Sequence, residues 1–590
     1  MTTSVSYDGG AGRATPAPPG SLWGEAVARR SGSICAALLF VMFVNLVTVV
    51  GRKSITNDET VLIPAAYYHY VNPDLRLVNE HPPLAKLLAG LPLVLMRPRR
   101  VWGAPPPERH WESVMARFWN DNRAEFGRIC FWARVPACVL AVALGALVFL
   151  FARDLFGPRA AVLAVALYTL EPTVLAHGRI VQTDVPAAFG CLLLLYALRR
   201  YAREPSRRRA LALGGAAGIA LIAKFSLLLA APALASAFLW LLWRAPREGR
   251  RRSVVAVEVG LAVLAALIVV HASYSFHLRA LSAADARWVV ASFPAHAQSA
   301  TRAARALSLV LPTDYVLGAL WQVRHNAEGH DASLLGMYGR TGWWYYFSVA
   351  FALKTTLPFL LLSAAALAWS CRELCARRDL RHLWLLAPFA LYTALVMASR
   401  INIGVRYYLP AYVPLFVLGG ALLERLVGSR RARRAGLAAA VVLMGWIAVE
   451  AARAYPDYVP YMNQLAAGRP HWQLLSDSNV EWGDDTFGLI KYLRDRGETR
   501  VRGALLGGFL TPRCYDGVAY TDILEEGEIR QQPTRFVALG ASFLNGSTVP
   551  NVMRGRRLAE EERINYFDAY RRRAPEAIIG GSIYVFREPE

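Results

Sequence analysis

Apolar stretches long enough to cross a lipid bilayer recur along this chain, separated by short arginine-rich loops, and that pattern leaves few folds open to it. A membrane helix needs about 20 mainly apolar residues, because every backbone N–H and C=O inside hydrocarbon has to be satisfied within the segment itself. Such runs can be drawn at about 33–50, 130–152, 159–176, 184–199, 209–224, 225–243, 253–274, 344–370, 382–398, 405–424 and 435–453. The chain therefore reads as mostly α, with about eleven transmembrane helices. Of its 590 residues 55% are hydrophobic and 18% charged, too apolar a balance for a surface wholly in water.

The net charge of +23 would suit a nucleic-acid partner if the basic residues shared one soluble face. Instead they gather in alternate short loops: Arg153 and Arg159; Arg199, Arg200 and Arg203; Arg244, Arg247 and Arg250; Arg372, Arg377 and Arg378; Arg430, Arg431 and Arg433. That alternation is a topology signal under the positive-inside rule. It puts the N-terminus in the cytoplasm, excludes nucleic acid as the partner, and predicts a multi-pass protein of the plasma (inner) membrane. Residues 51–129, 275–343 and everything after about 455 then fall on the outer side.

Residues 1–30 are rich in Gly, Pro, Ala, Ser and Thr and predict a disordered cytoplasmic tail. The run from Ser33 to Val50 lacks a small-residue cleavage pattern and predicts a retained signal anchor. Leu84 to Met96 is apolar but short and contains Pro92, which suits an interfacial or re-entrant helix. Residues 31–455 form the expected membrane domain. Residues 456–590 form an expected extracytoplasmic α/β domain, with strands at Val501 to Phe509, Arg535 to Leu539 and Ser582 to Phe586 and helices near Thr486 to Arg496 and Glu560 to Arg572. Seven scattered cysteines give neither a disulfide framework nor a metal spacing.

Charged residues kept at a membrane edge are candidates for function, since a full charge in hydrocarbon costs roughly 2.5 to 3.5 kcal/mol even on lenient scales. Asp58 and Glu59 stand just beyond the first span, where a carboxylate can take a proton from an attacking hydroxyl or simply belong to a solvated loop. His81-Pro82-Pro83-Leu84-Ala85-Lys86 fixes the chain before an apolar helix, and Lys86 suits either a phosphate contact or a snorkelling cation. Arg179 and Asp184 flank the start of the fourth span, where an acid also favours a helix N-terminus. Only Lys53, Lys86, Lys224, Lys354 and Lys491 are lysines, and all lie on the predicted outer half. Arg406 departs from the cytoplasmic bias of the other arginines. Gly342-Trp343-Trp344-Tyr345-Tyr346-Phe347 suits an interfacial aromatic belt. Asp477 to Asp485 is acidic without a calcium-loop pattern and reads as a capped turn.

Taken in order, Asn57-Asp58-Glu59, His81 to Lys86, Arg179 with Asp184, Gly342 to Phe347 with Lys354, Ile403-Gly404-Val405-Arg406 and Asp477 to Asp485 resemble the polyprenyl-phosphate-sugar-dependent glycosyltransferases, the superfamily of protein O-mannosyltransferases and the lipid A aminoarabinose transferase. The resemblance spans about residues 33–500. It implies a GT-C membrane fold and an inverting transfer of a sugar from a polyprenyl-phosphate-linked donor to a lipid, glycan or protein hydroxyl among membrane lipids. By the same resemblance Asp58, Glu59 and Asp184 are the catalytic acids, and His81, Lys86, Arg179, Lys354 and Arg406 bind substrate. It implies no certain cofactor and leaves a divalent metal open. Two other classes, a polytopic transporter and a non-catalytic envelope-assembly subunit, would require inverted repeats or a partner enzyme; no repeat is visible.

Overall fold

The computed structural model describes residues 22–71, 77–99, 111–428, 433–507, 517–525, 534–553 and 555–588. The first 21 residues of the expected tail, parts of the first outer loop, Cys514 and the end of the expected Val501 to Phe509 strand lie outside these. Among the described residues, seven helices are long and apolar enough to cross a membrane: Ser31–Val50, Arg123–Phe156, Asp184–Arg203, Arg252–Ser273, Leu357–Arg377, Val405–Gly428 and Arg434–Ala454. Leu84–Met96, Pro158–Leu170 and Leu383–Met397 are apolar but shorter. Exposed Phe40, Val41, Leu264 and Val441 lie on the spanning helices, as side chains in contact with lipid would.

Several expected elements take a different form. The last part of the predicted tail is helical, Leu22–Arg29. The run at 159–176 divides at Glu171 into Pro158–Leu170 and Pro172–His177. The run at 344–370 divides at Thr355 and Thr356 into Tyr346–Lys354 and Leu357–Arg377. Pro172 and Pro358 each lie in the first turn of the second helix, where the missing N–H is tolerated, whereas in one continuous helix it would leave the carbonyl four residues earlier unpaired and the ring would clash with it. The two breaks meet: Glu171 accepts hydrogen bonds from Thr356 N at 3.4 Å and Thr356 Oγ1 at 3.1 Å, and Thr173 Oγ1 donates to Lys354 O at 3.0 Å. Backbone groups freed by each interruption are thus partly satisfied by the other.

Leu84–Met96 lies against Asn57–Val71 so closely that a Cβ on Gly90 would come within 2.4 Å of Ala66 O. The segment 275–343 holds three α-helices, Ala283–Ser292, Ala297–Leu307 and Thr313–Glu328. A capping box of Ser282 and Asp285 starts the first. After the last span, a five-stranded sheet runs in the order Ala519–Asp522, Arg500–Ala504, Phe536–Gly540, Ile583–Arg587, Ala577–Ile579. The first three are parallel and the last two antiparallel to their neighbours, with Arg502 opposite Val537 and Leu539 opposite Tyr584. The helices Thr486–Arg494, Glu560–Ile564 and Asp568–Arg571 stand where the sequence puts helices.

Packing does not stop at the expected boundary near residue 456. One continuous core contains Leu46 and Phe416 from the membrane helices together with Trp482, Leu539 and Phe586 from the C-terminal part. The link is also polar: Asp484 O accepts from Ser54 N and Trp482 O accepts from Asn57 N, both at 2.8 Å. The segment after the last candidate span is therefore built into the loop that follows the first.

Candidate active site

Asp58 and Glu59 are consecutive in the first turn of Asn57–Val71, so they project about 100° apart around its axis. Glu59 turns inward and is fully buried. Its carboxylate accepts from Arg134 Nε at 2.8 Å, Val181 N at 2.9 Å, Thr56 N at 2.9 Å and Thr56 Oγ1 at 3.0 Å. Arg134 Nη1 continues to Lys53 O at 3.0 Å. Every lone-pair direction of Glu59 is committed to holding the first loop on the Arg123–Phe156 helix, so the expected catalytic acid is a structural clamp.

Asp58 turns the other way, 22% exposed, toward a cluster of charges drawn from distant parts of the chain. Arg406 Nη1 donates to Asp58 Oδ2 at 2.8 Å and lies 3.6 Å from Asp184 Oδ2. Lys224 Nζ pairs with Asp184 Oδ1. The Arg406 guanidinium stacks 4.1 Å over the indole of Trp482, whose Nε1 donates to Asp58 Oδ1 at 3.4 Å. Lys224 Nζ lies 3.6 Å over the ring of Tyr407. Aromatic faces attract cations electrostatically, so both positive groups are held from two sides. Arg406 Nε and Asp184 Oδ2 are buried without a hydrogen-bond partner, which leaves hydrogen-bonding capacity directed at this centre.

The secondary structure explains the convergence. Asp58 and Asp184 both occupy first turns, where the helix dipole favours negative charge. Arg406 belongs to the turn Val405–Tyr408 before its span, and Lys224 caps the end of Arg207–Ala223. All four sit at helix ends, where a charge need not enter hydrocarbon.

Other expected ligands sit elsewhere. Arg179 is fully buried, with Nη2 donating to Asp484 Oδ2 at 2.5 Å. Lys354 Nζ ties together Val459 O at 2.5 Å and Asn479 O at 2.6 Å. Both are held inside the protein, although Arg179 Nε and Nη1 are buried without a partner. Lys86 donates to Val78 O at 3.0 Å with Glu80 and Asp314 nearby. His81 feels Glu80, Asp58, Lys86 and Arg406, and burial holds its imidazole below the usual range. His81 therefore borders the cluster, and Lys86 lies next to His81. Among the described residues no group of three or more His, Cys, Asp or Glu could hold a metal ion, and the acids at the centre are neutralised by Arg406 and Lys224.

The stretch read as a capped turn, Asp477 to Asp485, does far more. Besides Trp482, it supplies Asp485, which pairs with Lys53 and accepts from Ser582 Oγ. Burial pushes the Asp485 carboxyl up to about 7, whereas the Arg179 and Lys53 cations hold Asp484 below the usual carboxylate range against the opposing effect of burial. Glu481, accepting from Leu506 N at 2.9 Å and Ser542 N at 3.1 Å, is pushed by burial to about 8. Arg134 was legible only as a charge inside an apolar run, and Lys224 only as one of five lysines. Nothing in their local sequence named their partners.

Solved structures resemble this fold at a distance. ArnT from Cupriavidus metallidurans bound to undecaprenyl phosphate is 14% identical, covers 94% of this chain and 99% of its own, and has a TM-score of 0.44. The S. cerevisiae protein O-mannosyltransferase Pmt1-Pmt2 complex bound to the sugar donor is 11% identical over 72% of this chain and 89% of that one, with a TM-score of 0.48. No curated protein sequence matches the chain significantly. Residues 126–274, the segment that carries Arg134, Arg179, Asp184 and Lys224, match the family described as dolichyl-phosphate-mannose-protein mannosyltransferase, and over that segment the match bears out the resemblance drawn from the motifs.

Proposed function

We propose that this protein is a multi-pass glycosyltransferase of the plasma (inner) membrane that moves a sugar, with inversion, from a polyprenyl-phosphate donor to a hydroxyl acceptor on the extracytoplasmic face. The observation that carries the proposal is the cluster of Asp58, Arg406, Asp184 and Lys224, gathered from four helix ends on the predicted outer side. The family match over residues 126–274 supports it, since two of the four lie within that segment.

The chemistry follows from where charge develops. As the bond between the anomeric carbon and the phosphate oxygen breaks, its electron pair moves onto the phosphate. Cations already fixed nearby stabilise that growing charge more than they stabilise the bound donor, and this lowers the barrier. Arg406 and Lys224 fill that role, with Lys86, next to His81, as a further cation. A guanidinium fork suits two phosphate oxygens at once. Asp58 and Asp184 hold the two cations in register. The N-terminus lies in the cytoplasm and the C-terminal part outside, so the donor lies in the outer leaflet and no sugar nucleotide is needed there.

The test is to incubate purified protein with a panel of labelled polyprenyl-phosphate sugars and membrane extract, and to follow by mass spectrometry which molecule gains the mass of a sugar. Release of polyprenyl phosphate with a matching gain on one acceptor is the expected result. Failure to consume any donor of the panel would overturn the proposal.

A further inference from the structure

Asp477 opens the stretch read as a capped turn before the helix at Thr486, and its surroundings give it more to do. Its φ of 54° places a non-glycine residue in the left-handed region, where few side chains settle without a reason. The turn it begins is clamped to the loop that carries Arg406: Ser478 Oγ donates to Ile403 O at 2.6 Å, and Val405 N donates to Asn479 Oδ1 at 2.9 Å. Its backbone carbonyl accepts from Val480 N at 2.9 Å and Glu481 N at 3.0 Å. The main chain is thus fixed from both sides, and Asp477 stands beside the loop that carries Arg406.

Charged and titratable groups face it from several elements. Arg406, Asp58 and His330 are its electrostatic neighbours, and Tyr346, Tyr407 and Glu481 in turn feel its charge. Asp58 has a donor on each oxygen, from Arg406 and from Trp482. Asp184 is paired with Lys224. Asp477 differs: Oδ1 accepts from Ser478 N at 2.6 Å, while among the described residues Oδ2 has no recorded donor and the side chain is only partly buried.

We infer that Asp477, delivered to the cluster by the segment after the last span, is the carboxylate that removes the acceptor's proton, with Asp58 as the group that positions Arg406. This rests on the glycosyl-transfer reading above. In the step, the acceptor oxygen forms a bond to the anomeric carbon while the carbon–oxygen bond to phosphate breaks. The electron pair of the broken bond stays on the phosphate, and the hydroxyl proton passes to Asp477, from which His330 or solvent takes it. Burial holds the Asp477 carboxyl above the usual range, which suits a base working near neutral pH.

Asp477→Asn is an unusually clean variant, because asparagine tolerates the left-handed region at least as well and its carbonyl can still accept from Ser478 N. The measurements are transfer from whichever labelled donor the native protein consumes, thermal midpoint, and affinity for undecaprenyl phosphate as the probe of the phosphate site. The expected result is a loss of turnover of about 100-fold or more with midpoint and affinity unchanged. The wild-type rate should rise with pH through the Asp477 titration, and that limb should vanish in the variant and return in Asp477→Glu. Undiminished turnover in D477N, or a fall matched by lost affinity or lost stability, would overturn the assignment. If the native protein itself transfers no sugar, the glycosyl-transfer reading fails and takes this assignment with it; native turnover beside an unimpaired variant removes the assignment alone.

Discussion

Two charged regions lie side by side in this protein, and they differ in how far they open to their surroundings. In the seam formed by Lys53, Glu59, Arg134, Arg179, Asp484 and Asp485, the members are buried and joined through ion pairs and backbone carbonyls. In the cluster around Asp58, Arg406 and Asp184, one acid is partly open and two buried polar atoms lack partners. Unpartnered buried atoms occur in both, with Arg179 Nε, Arg179 Nη1 and Asp484 Oδ1 in the seam, so it is the opening at Asp58 that separates the cluster from the seam, although Asp58 and Glu59 are adjacent in sequence. A buried ion pair broken on one side leaves an uncompensated charge, which is far more damaging than loss of the whole pair.

The sharpest way to break this contrast is to damage the seam. Arg134→Leu strands Glu59 and should cost about 3 to 5 kcal/mol of stability, read as a collapse of folded yield and a large fall in thermal midpoint in detergent. A folded, active R134L protein would refute the structural role of Glu59. Asp58→Asn, which removes the charge that positions Arg406, should do the opposite: roughly 10- to 100-fold less transfer, the size of one hydrogen bond to a charged group, in protein with an unchanged midpoint. Next in size, Arg406→Lys keeps the charge but loses the fork and the stack on Trp482, so affinity for undecaprenyl phosphate should fall by roughly 10-fold, measured by tryptophan fluorescence.

Acidity tests the seam's edge. The Glu481 carboxyl is raised by burial to about 8 from its ordinary 4.5, so the folded state binds its proton more tightly than the unfolded state does. Its contribution to stability is fully present below pH 4.5 and is lost as pH rises through 8. Glu481→Gln should flatten that decline, seen as a variant that gains on the native protein in midpoint between pH 5 and 9. The smallest effect belongs to Trp482→Phe, which keeps an aromatic face for Arg406 and removes one long hydrogen bond to Asp58. A few-fold loss of turnover, near the roughly 0.5 to 1.5 kcal/mol of a single hydrogen bond, is expected in initial-rate assays.

Hydrophobic runs and arginine loops made most of the spanning helices legible, because length and apolarity are local properties. The broken helices were hidden, since a proline near the start of a turn reads the same within an apolar run whether the helix stops there or kinks; only the meeting of Glu171 with Thr356 shows that both stop. Asp58, Asp184 and Arg406 were visible as charges at membrane edges and converge as expected. Glu59, Arg179 and Lys354 carried the same signal and turned out to be held inside the protein. A charge at a membrane edge announces that it needs a partner, and only the folded chain shows whether the partner is already inside the protein. Trp482 lay in an acidic stretch without periodicity, and no local pattern tied it to a residue 424 positions earlier.

That separation fixes an order of events. Asp58 and Arg406 are made before the indole that joins them, since Trp482 follows the last candidate span. A growing polypeptide paused before that point would display its acids and its arginine without the plate that holds them in register. Completion of the centre thus waits on the segment that follows the last candidate span.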